Sequence, residues 1–127
     1  MIVSYTCDFD EKSLCFRQPD QHIVLATTAQ GYARAQAIRC QSKLDVYQLG
    51  EEAVDLTRLS QLLYTDYNVR TLLCEGGPRL LGGMLAAGLV DEEFVTFCPS
   101  FIGETKEKFR PSYVEGVAFS PQNAPYS

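Results

Sequence analysis

The chain has 127 residues, 46% hydrophobic and 21% charged, which is the composition of one ordinary globular domain with enough chain to bury a core. Eleven Lys and Arg against sixteen Asp and Glu leave a net charge of −5, so a general nucleic-acid binder is disfavoured, because phosphate backbones would be repelled. The longest charge-free apolar stretch, residues 80–90, falls well short of the roughly 20 residues a membrane-spanning helix needs, and no membrane association is expected.

The chain opens on a strand-like run, residues 1–5, followed by a polar loop carrying Asp8, Asp10, Glu11 and Lys12. Residues 22–28 (HIVLATT) are β-branched and apolar, the pattern of a buried strand. An alanine-rich helix is predicted over 29–39 with Thr28 as its cap, weakened by Gly31. Residues 44–49 alternate like a half-buried strand and close at Gly50. Asp55 stands as N-cap before Leu56, Leu59, Leu62 and Leu63, which share one helical face, and Asn68 is a residue suited to ending that helix. Residues 69–74 (VRTLLC) read as a central strand. A helix is predicted from Pro78 to Ala87 with Gly88 as its stop, and residues 93–98 (EFVTFC) read as another strand. The tail, 103–127, reads as loop plus an edge hairpin. Alternating strands and helices of this length predict an α/β layered fold with a largely parallel sheet, forming a single domain over residues 1–127.

The five cysteines, Cys7, Cys15, Cys40, Cys74 and Cys98, are odd in number and contain no C-x-x-C pair. That argues against a disulfide framework or a zinc site and for buried filler. No basic stretch followed by an apolar run opens the chain, so a reduced, cytoplasmic setting is expected. His22, the only histidine, has no partner acid indicated nearby and reads as surface or strand-edge filler. Asp91, Glu92 and Glu93 read as a solvated turn rather than a metal site, and Lys106, Lys108 and Arg110 as residues that blunt an edge strand.

Five of the nine glycines fall between Gly76 and Gly88. A buried strand, then Glu75, then Gly76-Gly77-Pro78 and a helix would put bare backbone at the carboxyl edge of a sheet, where open α/β folds bind ligands. The helix N-terminus beyond it would offer amides and a positive dipole end to an anion, and Arg79 is the basic residue placed to assist. Gly77-x4-Gly82 has P-loop spacing but lacks the Lys-Ser/Thr that follows, and no G-x-G-x-x-G occurs. From the residues alone, a tight turn at Gly76-Gly77 and a close helix–sheet contact at Gly82-Gly83 explain the glycines equally well.

The run Val69-Arg70-Thr71-Leu72-Leu73-Cys74-Glu75-Gly76-Gly77-Pro78-Arg79-Leu80-Leu81 resembles the hallmark of the riboflavin-biosynthesis pyrimidine reductases, the reductase domain of the bifunctional deaminase/reductase. The likeness continues through Gly88-Leu89-Val90-Asp91-Glu92 and Pro99 to Gly103, with a weaker match over residues 1–63. The resemblance implies a dihydrofolate-reductase-like three-layer αβα fold with a mostly parallel mixed sheet. It implies NADPH as cofactor, held by Gly76, Gly77, Pro78, Arg79, Leu80, Leu81, Gly82 and Gly83, with Thr6 (or Ser4) near its adenosine end. Glu75 would contact the substrate, 5-amino-6-(5-phosphoribosylamino)uracil, whose ribose is reduced to a ribityl chain. No metal and no catalytic proton donor is implied, and a homodimer is expected. The family's Ser-Leu-Asp-Gly motif and closing strand have no counterpart here, so the domain is expected to be truncated at both ends. Two other readings stand beside this one: a related reductase of another pyrimidine or pterin-like substrate, and a non-catalytic remnant that dimerises.

Overall fold

The run HIVLAT forms the centre of the sheet. A computed structural model describes residues 1–10, 12–97, 99, 112–120, 122 and 124, in two units, Met1–Arg70 and Thr71–Ser127. In the first unit, strands β1 (Ile2–Ser4), β2 (His22–Thr27) and β3 (Lys43–Gln48) form a sheet in that order, all parallel. Helix α1 (Ala29–Ala37) connects β2 to β3, and α2 (Leu56–Asp66) follows β3. Between β1 and β2 the chain makes a 3-10 turn at Leu14–Phe16.

Register shows why β2 lacks polar alternation. Ile2, Leu25 and Val46 line up across the three strands on one face, beneath Ala35 of α1. Val3, Ala26 and Tyr47 line up on the other, where Leu59 and Leu63 of α2 complete the core. Both faces of β2 are therefore covered, and from Ile23 to Thr27 every residue is buried. This gives the unit its helix–sheet–helix layering, an α/β architecture consistent with the expected dihydrofolate-reductase-like class.

The helix boundaries follow local chemistry. Asp55 accepts the Arg58 amide at 2.9 Å as an N-cap, and Asn68 ends α2 in the left-handed region at φ 53°. Thr28 occupies the N-cap position of α1, but its hydroxyl does not cap the helix. It donates instead to the Tyr5 carbonyl at 3.0 Å, just past the end of β1.

In the second unit, helix α3 (Pro78–Ala86) begins with Pro78 in its first turn and ends in a Schellman closure. The Leu89 amide reaches Met84 and the Gly88 amide reaches Leu85, with Gly88 at φ 64°. The strands expected over 69–74 and 93–98 are not formed: residues 69–74 and 93–97 carry no ladder pairing, and Cys98 lies outside the described residues. Leu73, Phe94 and Phe97 are 75%, 88% and 89% exposed. Their β-branched and aromatic composition favours extended backbone, but a strand exists only where a partner supplies the ladder. No strand is formed over 112–120 either, and most of the tail, including Lys106, Lys108 and Arg110, lies outside the described residues. The described sheet holds no antiparallel strand, so the mixed character expected of it is not seen there.

Candidate functional site

The glycine turn leads into α3 as the sequence predicts. Gly77 is the N-cap, at φ −70° and ψ 176°, and its carbonyl accepts the amides of Leu80 and Leu81. Pro78 has no N–H to offer, so the Arg79 amide is the first that the helix provides without an acceptor of its own. Glu75, Gly76, Gly77 and Arg79 are exposed, while Pro78, Leu80, Leu81 and Gly83 are half-buried.

Gly76, Gly77 and Gly82 differ in why they are glycine. At Gly82, which is buried, a Cβ would lie 2.6 Å from the Glu115 carbonyl, so close packing against residues 114–115 accounts for it. At Gly76 a Cβ would meet the Leu80 side chain at 2.4 Å. Gly77 is unlike both: its φ is one any residue adopts, and no described residue lies within 4 Å of a Cβ placed there. Among the described residues neither backbone strain nor packing requires the missing side chain, and they leave the space above the helix start open.

Glu115 is a neighbour the sequence gave no sign of. Its amide donates to the Pro78 carbonyl at 3.1 Å, and its carboxylate stands 3.8 Å from Arg79 Nε. The Arg79 side chain stays 88% exposed, so this is a loose ion pair that leaves the guanidinium accessible.

Thr6, in the first unit, is half-buried just past the carboxyl end of β1. Around it the carboxyl ends of β1 and β2 are tied together. Thr28 donates to the Tyr5 carbonyl, and the Cys7 thiol donates to the Thr27 hydroxyl at 3.1 Å. Gly31 of α1 sits so close that a Cβ there would lie 2.2 Å from Thr27 Oγ1 and 2.6 Å from the Tyr5 carbonyl. The sequence singles out Thr28 only as a helix cap and Thr27 not at all, although a Thr pair between an apolar run and a helix marks a strand-to-helix turn.

His22 has the partner acid the sequence did not reveal. Its Nε2 lies 2.6 Å from Asp45 Oδ2, which also accepts the Tyr67 hydroxyl at 2.6 Å, and Tyr67 pairs with the Tyr47 hydroxyl at 2.8 Å. These contacts hold the Asp45 carboxyl below the usual range, the Tyr67 bond contributing most and His22 next. Burial, then the bond to Asp45, pushes the Tyr67 phenol well above its ordinary value. The group lies towards the amino ends of β2 and β3, the opposite edge of the sheet from Thr6.

Cys7, Cys15, Cys40 and Cys74 are free thiols; Cys98 lies outside the described residues. Asp91, Glu92 and Glu93 are exposed, and no cluster of metal-ligating side chains occurs among the described residues. No helix among them is long and apolar enough to cross a membrane.

Among curated proteins the chain is similar to the 2,5-diamino-6-ribosylamino-4(3H)-pyrimidinone 5′-phosphate reductase of Archaeoglobus fulgidus, at 35% identity over 75 residues. That match covers 59% of this chain and 32% of the relative. The chain has no significant match among solved structures. The sequence profile described as the RibD C-terminal domain matches residues 1–122, nearly the whole chain, which therefore belongs to that family.

Proposed function

We propose that this chain is the reductase part of a riboflavin-biosynthesis enzyme, an NADPH-dependent oxidoreductase acting on a phosphoribosylamino-pyrimidine. The observation that carries the cofactor assignment is Gly77, a glycine at a helix start that has no internal reason to lack a side chain. A pyrophosphate approaching the main chain supplies that reason. Gly76, Gly77, Pro78 and Arg79 hold the pyrophosphate, with the first turns of α3, Leu80 to Gly83, behind them. The helix dipole and the Arg79 amide favour the anion by about 0.3–1 kcal/mol, and the exposed guanidinium adds charge. Glu75 faces the substrate side of the turn, where a carboxylate accepts hydrogen bonds from hydroxyl or amino groups. By resemblance alone, Thr6 contacts the adenosine end of the cofactor.

When bound, the nicotinamide supplies the hydride that reduces the sugar carbon; the chain's own contribution is positioning and exclusion of water. The substrate is 5-amino-6-(5-phosphoribosylamino)uracil or the diaminopyrimidinone named for the archaeal relative, which share the phosphoribosylamino arm. The proposal includes one domain over residues 1–127, a homodimer, a cytoplasmic setting, and no nucleic-acid partner.

Calorimetric titration with NADPH and NADH tests this reading. Tight NADPH binding that is lost in Gly77→Val and kept in Glu75→Ala supports it. Equal affinity of Gly77→Val and the parent chain overturns the assignment of the turn.

A further inference from the structure

A groove of about 930 Å³ opens in the first unit between the 3-10 turn, the end of α1 and the α1-facing side of β3. Its floor is apolar, with Phe16, Ile38 and Leu44, and its rim carries Lys12, Arg17 and Arg39. Three of the eleven basic residues of an acidic chain thus surround one cavity. The ion pairs among the described residues, His22–Asp45 and Arg79–Glu115, involve none of the three. Asp10, two positions before Lys12, has one carboxylate oxygen accepting the Lys12 backbone amide.

The walls are held in place without a ligand. The Gln41 amide donates to the Phe16 carbonyl at 2.9 Å, and the Ser42 hydroxyl lies within 2.8 Å of the Cys15 and 2.7 Å of the Gln18 carbonyls. Phe9 packs on Phe16 with ring centroids 5.8 Å apart. The 3-10 turn is therefore fixed to the segment that leads into β3, so binding would not have to order it first.

We propose that this groove binds a small aromatic phosphate monoester, its ring on the Phe16–Leu44 floor and its phosphate between the guanidinium groups of Arg17 and Arg39. Arginine matches phosphate in planar, bidentate geometry, and unpaired cations at the rim of an apolar cleft combine the two features such a ligand presents. The groove involves neither the glycine turn nor Thr6. It constitutes a second small-molecule site, and its occupancy does not depend on the NADPH assignment.

Heteronuclear NMR titration of the 127-residue chain with 1-naphthyl phosphate, inorganic phosphate and 1-naphthol, each with and without saturating NADPH, tests the proposal. The expected result is amide shifts confined to residues 12–17, 38–41 and 44–46, unchanged by NADPH, with naphthyl phosphate binding about tenfold more tightly than either fragment. An Arg17→Glu/Arg39→Glu variant with unchanged circular dichroism should lose that advantage; if it does not fold, Arg17→Gln/Arg39→Gln replaces it. The proposal is overturned by no shifts, by shifts at Thr6, Thr27 or Gly77 instead, by inorganic phosphate or naphthol binding as well as the ester, or by unchanged affinity in the folded arginine variants.

Discussion

Helices α1 and α3 both start with a glycine nearby, and the two glycines exist for opposite reasons. Gly31 is buried against the Thr27 hydroxyl and the Tyr5 carbonyl, where any side chain would collide with the protein itself. Gly77 faces open space with an ordinary backbone. One absence serves the fold and the other leaves room for something outside it. Glycine enrichment in a sequence therefore does not identify a site; what an added carbon would strike does.

Substitution can break this contrast directly. Gly31→Ala should cost about 1–3 kcal/mol, since the Tyr5 carbonyl is main chain and cannot easily retreat. Urea unfolding measures it, and a cost under about 0.5 kcal/mol would mean that β1 and α1 are not as tightly joined as described. Gly77→Ser should leave stability within about 0.5 kcal/mol, because Ser is a favoured N-cap, yet weaken NADPH by about tenfold by filling the open space. Undiminished NADPH affinity would reduce Gly77 to an ordinary turn residue.

The third helix start sharpens the comparison, because in α2 the side chain itself does the capping. Asp55→Ala should cost about 1 kcal/mol through loss of the bond to the Arg58 amide, read as a lower urea midpoint. The smallest effect is one of pH and belongs to the far edge of the sheet. Asp45 has a lowered folded pKa, so its stabilisation is full above the unfolded value of about 4 and is lost as pH falls through the folded one. Tyr67 is raised, so its stabilisation is full below about pH 10 and is lost as pH rises beyond that. Tyr67→Phe should flatten the alkaline decline and diminish the acid one; thermal melts across pH 3–11 that superimpose on the parent's would show that the Asp45 contact contributes nothing.

Much of the first unit is legible from sequence because its signals are local. The apolar run of β2, the leucine spacing of α2 and its Asp55 and Asn68 ends all appear within a few residues of where they act. What the sequence hid is non-local. His22 meets Asp45 only because the parallel register pairs His22 with Lys43, placing Asp45 two residues further along. The Thr28 hydroxyl turns from its helix to a carbonyl 23 residues away. The same limit explains the strands expected at 69–74 and 93–98: composition specifies an extended preference, whereas pairing depends on a distant partner. The glycine turn was legible as a turn, but the open space over Gly77 and the approach of Glu115 were not.

The position of β2 has a consequence for how the first unit assembles. It is paired on both sides, and each connection to a neighbour is a long crossover rather than a hairpin. No two of these strands can zip together from a tight turn, so chain ends must be brought together before the first ladder bond forms. The reward arrives late and all at once, when β2 gains both neighbours and helices settle on both faces. Such a sheet forms slowly and cooperatively, and during synthesis Ile23–Thr27 remain an exposed apolar segment until β3 has emerged.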